Sequence, residues 1–388
     1  MELASLLSSG WSSILSALPS SLDLTALARS EGAIKRSRRI SDGETLLRLA
    51  LWYGPCGLSL RSAAALAAGT ETANLSDVAL LKRLSGAADW LEAIVAAVLA
   101  ERHGEPMAGA RDLVLIDGTA ISQPGSNSTD WVLHSRYKPD HGFSGFALTD
   151  RSGGETLGRH TFNAGEIVIA DRAYARGGKG LSHVLEQQAD FIVRAGWRSL
   201  ALRDERGQPL DLLARLKGLD PGETADLRVN VAVGKNMLPI RLIVQAKPDE
   251  AMPAAVKRVK RKAQKNGHKG DPRSEEAARY MIIATSLDAE NYPVASILAL
   301  YRMRWQIELA FKRLKSLLNI DRLPARNRNL ARAWLNAHLL LALLIDDVTQ
   351  QLLDSPPRES GLCMTLASNA VPRAGDVRKS SSSPHLPA

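Results

Sequence analysis

The spacing of apolar residues changes along the chain and divides it into stretches of different predicted structure. Through residue 107 the pattern is helical. Leu46, Leu47, Leu49, Ala50 and Leu51 cluster after Ser41-Asp42-Gly43-Glu44, which has the S-x-x-E form of a capping box. Leu60 to Ala68 predicts a second helix that stops at Gly69, and Ser76-Asp77 opens a third. From residue 108 to 196 short apolar runs take over: Leu113 to Ile116, Trp131 to Ser135, Gly145 to Asp150, Ile167 to Ala170 and Asp190 to Ala195. Turn residues such as Pro124-Gly125 and Gly153-Gly154 separate them, so they predict strands, with a crossover helix over Gly180 to Gln187. Across residues 197–292 apolar and polar residues alternate, as in Leu227-Arg228-Val229-Asn230-Val231, and this predicts an inserted antiparallel β subdomain. Residues 293–353 return to helical spacing. From 354 to 388 Ser, Pro and Arg replace apolar residues, which predicts a disordered tail. Trp197 and Trp305 read as core residues.

Composition narrows the classes. A chain of 388 residues can bury a sizeable core and fits two or three domains. Its net charge of +9 and pI of about 9.6 favour a polyanion partner, though a ribosome or a membrane surface would fit equally. The longest apolar run, Ala337 to Ile345, is too short to span a bilayer and reads as a buried helix. Cys56 and Cys363 lie far apart without metal-ligand spacing, so both read as free thiols in a reducing cytosol. The N-terminus carries Glu2 and no basic signal-peptide region, which also places the protein in the cytoplasm. Positive charge is concentrated at Lys35-Arg36-Ser37-Arg38-Arg39 and, most densely, from Lys257 to Lys269, including Lys260, Arg261 and Lys262. Such runs are either solvated faces or phosphate contacts.

Three acids carry the candidate chemistry. Leu113-Val114-Leu115-Ile116-Asp117-Gly118-Thr119 and Ile167-Val168-Ile169-Ala170-Asp171-Arg172-Ala173-Tyr174 are apolar runs closed by an aspartate, where strand ends present functional groups. The stretch from Tyr301 to Lys315 reads as a helix. At 100° per residue it places Tyr301, Arg304, Glu308 and Lys315 within a sector of about 60°. Ion pairs on a solvated face would explain that stripe, and helix caps would explain either aspartate. Together, Asp117, Asp171 and Glu308 offer three hard oxygen donors, the set that suits Mg²⁺ or Mn²⁺.

Asp117, Asp171 and Glu308, with Tyr301-x2-Arg304-x3-Glu308-x6-Lys315, resemble the DDE triad and YREK signature of insertion-sequence transposases of the IS-four group. Ile116-Asp117-Gly118-Thr119 and Ala170-Asp171-Arg172-Ala173-Tyr174 resemble the family's two aspartate segments. The resemblance runs from about Leu113 to Leu323. It implies an α/β fold: an RNase H-like catalytic core interrupted by a β-strand-rich insertion, with a helical N-terminal region that binds DNA. It implies Mg²⁺, with Mn²⁺ as a substitute, held by Asp117, Asp171 and Glu308. Tyr301, Arg304 and Lys315 are implied as contacts to the phosphate backbone, with Arg172 a further candidate. Tyr280 stands where a hairpin-forming relative stacks a flipped base on an aromatic ring, although an ordinary strand-edge tyrosine would look the same. The implied activity is cleavage of insertion-sequence ends and strand transfer into target DNA, by a homodimer on paired double-stranded ends. The alternatives are a nuclease of the same fold without strand transfer and a catalytically idle DNA-binding relative.

Overall fold

A computed structural model describes residues 10–353 apart from 37–38, 103–110, 127, 140, 266, 268, 319–322 and 325, with only the backbone described at 102, 313–318 and 346–353. Helices α1 (Trp11–Ser16), α2 (Leu24–Ser30), α3 (Gly43–Tyr53), α4 (Leu60–Gly69), α5 (Asp77–Ser85) and α6 (Ala88–Arg102) precede the first described strand. Side-chain oxygens fix four of their starts by accepting from first-turn N–H groups that have no partner within the helix. Asp23 accepts from Thr25 and Ala26, Asp42 from Thr45 at 2.7 Å, Ser59 from Ser62 and Ser76 from Ala79. The cap of α3 is therefore Asp42, one residue beyond the Ser41 that the capping-box spacing indicated. Glu44 instead accepts from the Trp11 indole N–H at 2.5 Å. Gly43 lets α2 and α3 close on each other, since a Cβ there would lie 2.4 Å from the Leu24 carbonyl oxygen.

Strands β1 (Leu113–Ile121), β2 (Trp131–Lys138), β3 (Gly142–Asp150), β4 (Ile167–Ala170), β5 (Asp190–Ala195), β6 (Leu202–Arg203), β7 (Thr224–Val233), β8 (Asn236–Ala246) and β9 (Tyr280–Thr285) form a sheet ordered β3-β2-β1-β4-β5-β9-β8-β7-β6. The β1–β4 and β4–β5 pairs are parallel, and the others are antiparallel. The fold is mixed α/β. The alternating segments after residue 197 extend this sheet through β9, which pairs with β5 from Ile192↔Thr285 to Ala195↔Ile282.

Successive side chains of a strand face opposite ways, so each central strand feeds two cores. Leu115, Ile169, Ile192, Ile243 and Ile283 join the first, with residues of α3 and α6. Val114, Val168, Phe191, Leu242 and Ile282 join the second, with residues of α7 (Lys179–Glu186) and α8 (Leu212–Leu216). Burial on both faces is why these strands read as continuous apolar runs. The remaining helices are α9 (Met252–Lys265), α10 (Pro272–Ala277), α11 (Val294–Arg302), α12 (Trp305–Leu318) and α13 (Arg328–Leu353). Residues of α11, α12 and α13 belong to the first core, and Arg332 of α13 pairs with Asp89 at 2.8 Å and with Glu92 on α6.

Residues through Val348 form one unit, and a second starts at Thr349, of which the end of α13 is described. The tail from 354 to 388, with Cys363, and residues 37–38 of the first basic patch lie outside the described residues. Among the described residues no helix is long and apolar enough to cross a membrane.

Three expectations change. The Tyr301–Lys315 stretch is not one helix: α11 ends at Arg302, Met303 and Arg304 form a turn, and α12 starts at Trp305. The break leaves Trp305 in water at 61% exposure instead of in the core, while Trp197 is half-buried, packed against the second core with the guanidinium groups of Arg198 and Arg273 over its ring. Asp117 is also not at the end of its strand, because β1 continues against β2 as far as Ile121↔Trp131.

Candidate active site

The parallel ladder between β1 and β4 closes at Ile116↔Ala170. Asp117 and Asp171 are the next residues on the two neighbouring strands, so the register alone makes them adjacent. What ends at this point is β4, and β1 runs on beside the gap. Each carboxylate is oriented by a nearby backbone N–H: Asp117 accepts from Gly118 at 2.8 Å and Asp171 from Ala173 at 2.7 Å. Glu308 lies in the first turn of α12, the helix packed against β1. It accepts from Arg304 at 2.7 Å, an i,i+4 ion pair.

The electrostatics tie these groups together. Burial pushes the Asp117 carboxyl up to about 6, and the negative charges of Asp171 and Glu308 act in the same direction. The Gly118 N–H and the Arg304 guanidinium oppose the rise. A carboxylate held above its ordinary range by burial and like charge is a group that gains from a cation.

The phosphate-contact candidates fall into different settings. Arg304 lies 5.8 Å from the Tyr301 ring, between that ring and Glu308. Tyr301 is 9% exposed and packs in the first core, with burial raising its hydroxyl and Arg304 and Arg194 opposing. Packing thus accounts for most of its surface, and its hydroxyl faces the site. Arg172 is exposed and lies against Gly196. The side chain of Lys315 lies outside the described residues. Lys260, Arg261 and Lys262 are exposed on α9, a helix with no buried residue, and Lys260 pairs with Glu275 at 3.3 Å.

Tyr280 does not offer a stacking face. Its ring is buried in the second core and its hydroxyl donates to the Leu216 carbonyl at 3.0 Å, so it belongs to packing under α8. The open aromatic surface beside Arg304 and Glu308 is Trp305.

A further acid lies against the other face of β1 from Asp117. Glu155 follows the short turn at Arg151–Gly153, and its Oε1 lies 3.0 Å from where a Gly118 Cβ would be. Burial and the charges of Asp171 and Asp117 hold its carboxyl above the usual range. Nothing in its spacing marked it, because a loop supplies it.

The chain matches the family model for the transposase DDE domain over residues 108–345, more than half its length. The chain belongs to the DDE transposase family. This transposase is 42% identical over 358 residues to InsL of insertion sequence element IS186A of Escherichia coli strain K12, covering 90% of this chain and 97% of the relative. It is 42% identical over 359 residues to the transposase for insertion sequence element IS421 of Escherichia coli, with the same coverage. A shorter match, 28% over 112 residues, links it to the transposase for insertion sequence element IS231F of Bacillus thuringiensis subsp. israelensis, covering 29% of this chain and 24% of the relative. These relatives place the transposase in the IS-four group.

A DDE domain implies a divalent metal. The donor chemistry fits one: Asp117, Asp171 and Glu308 all offer hard oxygen donors, and Arg304 is the cation that Glu308 pairs with. Among the described residues no three His, Cys, Asp or Glu side chains are gathered closely enough to hold a metal ion.

Proposed function

We propose that the chain is a cut-and-paste transposase whose Asp117, Asp171 and Glu308 hold Mg²⁺, or Mn²⁺ in its place, at the end of an insertion sequence. The core is read as RNase H-like, spanning 108–196 and 293–353, with 197–292 as its insertion and 1–107 as the DNA-end-binding region. The observation that carries this reading is the register: Asp117 and Asp171 follow the last parallel pair of β1 and β4, and α12 brings Glu308 against β1. A bound cation would supply Lewis-acid charge to the phosphodiester under attack.

The protein groups position and neutralise the DNA. Arg304 engages a backbone phosphate through its planar fork, and in doing so it releases Glu308 from their ion pair. Lys315 and Arg172 add point and fork charges to the same strand. Tyr301 sets the pose of Arg304 from below. Trp305, exposed beside them, stacks on a base unpaired at the cleavage point. Water attacks the phosphodiester and releases a 3′-OH, which then attacks a second strand. Joining two ends requires two such sites, so the working unit is a homodimer on paired double-stranded ends and target DNA.

The test incubates the protein with end-containing DNA and Mg²⁺ and resolves nicks, hairpins and joined products. Wild type gives nicked and joined DNA. Asp117→Ala, Asp171→Ala and Glu308→Ala each bind the DNA with unchanged affinity and cut nothing. Continued cutting by Asp171→Ala or Glu308→Ala refutes the assignment. Nicks without joined products indicate a nuclease instead.

A further inference from the structure

Helix α5 packs one face inward and leaves the opposite face bare. Leu80 and Leu84 are buried in the first core, while Val78 is 58% exposed and Lys82 is exposed as well. At 100° per residue Val78 and Lys82 lie one turn apart, on the side away from both leucines. A lone exposed valine is ordinary. Its surroundings set this one apart.

Arg83, next on the helix, donates to the Arg36 carbonyl at 3.1 Å and to the Ala33 carbonyl at 3.5 Å. It thereby fixes the first basic segment against α5. Lys35, Arg36 and Arg39 of that segment are exposed, and no ion pair is described for them or for Lys82. Arg61 of α4 stands at a cavity of about 300 Å³ between α4 and the start of α5, where Ala64, Ala65 and Ala68 leave the wall low. The acid in the first turn, Asp77, accepts from the Val78 N–H at 2.8 Å. Exposed cations therefore accompany a helix face that offers methyl groups and an ammonium. This layout suits a helix in a DNA major groove, where flanking cations hold phosphates and outward side chains meet base edges. Lysine donates to guanine O6 and N7, and apolar side chains pack on the thymine methyl.

We infer that α5 is the helix that reads base pairs at the end of the insertion sequence, with Lys82 and Val78 as its specificity residues and Lys35, Arg36, Arg39 and Arg61 on the phosphates. The inference rests on the reading of residues 1–107 as the DNA-end-binding region and names the element within it that discriminates sequence.

The full-length protein is tested on a duplex of the element's terminus and on a scrambled duplex of the same length and composition. Lys82→Ala lowers the ratio of the two affinities about 10-fold, and Val78→Ser lowers it less. Arg36→Ala combined with Arg39→Ala weakens both duplexes alike. Selection from a pool randomised over the terminus adds a readout that a phosphate contact would not move. There Lys82→Gln changes the preferred base at one position from guanine to adenine, because an amide pairs with adenine N6 and N7. Far-UV circular dichroism verifies folding of each variant. Lys82 variants that weaken both duplexes equally, or that leave the ratio and the selected sequence unchanged, overturn the inference. So does a Val78→Ser protein that changes oligomeric state by size-exclusion chromatography but keeps its ratio, since the face is then an interface between copies. In these cases the double arginine variant still weakens binding, and the reading of residues 1–107 stands. If none of these variants alters binding to either duplex, that reading fails and the inference with it.

Discussion

Tyr280 and Trp305 occupy surroundings opposite to those their sequence context pointed to. Tyr280 was the candidate for base stacking and is buried with its hydroxyl on Leu216, whereas Trp305 was a core candidate and is 61% exposed beside Arg304. Their substitutions should separate cleanly. Tyr280→Phe removes one buried hydrogen bond and should cost about 1 kcal/mol in urea unfolding, with end cleavage unchanged. Trp305→Ala removes little buried surface, so stability should change by less than about 0.5 kcal/mol. It should lower end cleavage and the fluorescence rise of a 2-aminopurine at the cleavage point. Unaltered 2-aminopurine signal with Trp305→Ala would exclude the indole as the stacking partner. Neither setting was readable from residue type alone. A strand-edge tyrosine exposes its ring or buries it according to what packs above, here α8, and Trp305 faces water because the chain breaks at Met303 and Arg304.

At the level of elements, the legible parts were those whose burial leaves a period in the sequence. The β4 and β5 bounds coincide with the apolar runs Ile167 to Ala170 and Asp190 to Ala195, because both strands are covered on two faces. Asp117 and Asp171 were visible for the same reason, as acids closing such runs. Glu155, behind Gly118 on the other face of β1, was not, since a loop acid has no period and its place depends on where the chain returns. The helix break before Trp305 was equally hidden, as no Gly or Pro marks it. The basic run became more specific once seen as a helix: α9 buries no residue, so its charges face solvent. Lys260 is partly neutralised by Glu275, while no ion pair is described for Arg261 or Lys262. If both contact phosphates, the double substitution Arg261→Ala and Lys262→Ala should reduce the slope of log K against log salt by about 1.8, since each contact contributes about 0.9. Filter binding from 50 to 200 mM salt measures this, and an unchanged slope would mean a helix that is merely solvated.

The molecule as a whole buries histidines that must stay neutral, and this sets how its stability responds to pH. Burial, chiefly, lowers His134 to about 4, His160 to about 3 and His338 to about 4, from an ordinary 6.5. Around His160 the positive charges of Arg136 and Arg159 and the neighbouring His134 and His183 add to the effect. The unfolded chain therefore takes up protons at a higher pH than the folded one. Stability is fully present above about pH 7, falls as pH drops through 6.5, and stops falling below the folded values near 3–4. His338 is the best single probe, since it lies on α13 with Nδ1 donating to the Trp334 carbonyl at 2.8 Å and its ring 3.7 Å from the Trp334 ring, and no charged group is among the causes of its shift. Between pH 8 and pH 5 it alone should account for about 2 kcal/mol of lost stability. His338→Gln keeps an N–H donor but has nothing to titrate in this range. Its urea-unfolding free energy should therefore fall less between those two pH values than that of wild type, by about that amount. Parallel pH profiles for the two proteins would mean that His338 is protonated in the folded state and that the acid sensitivity arises elsewhere.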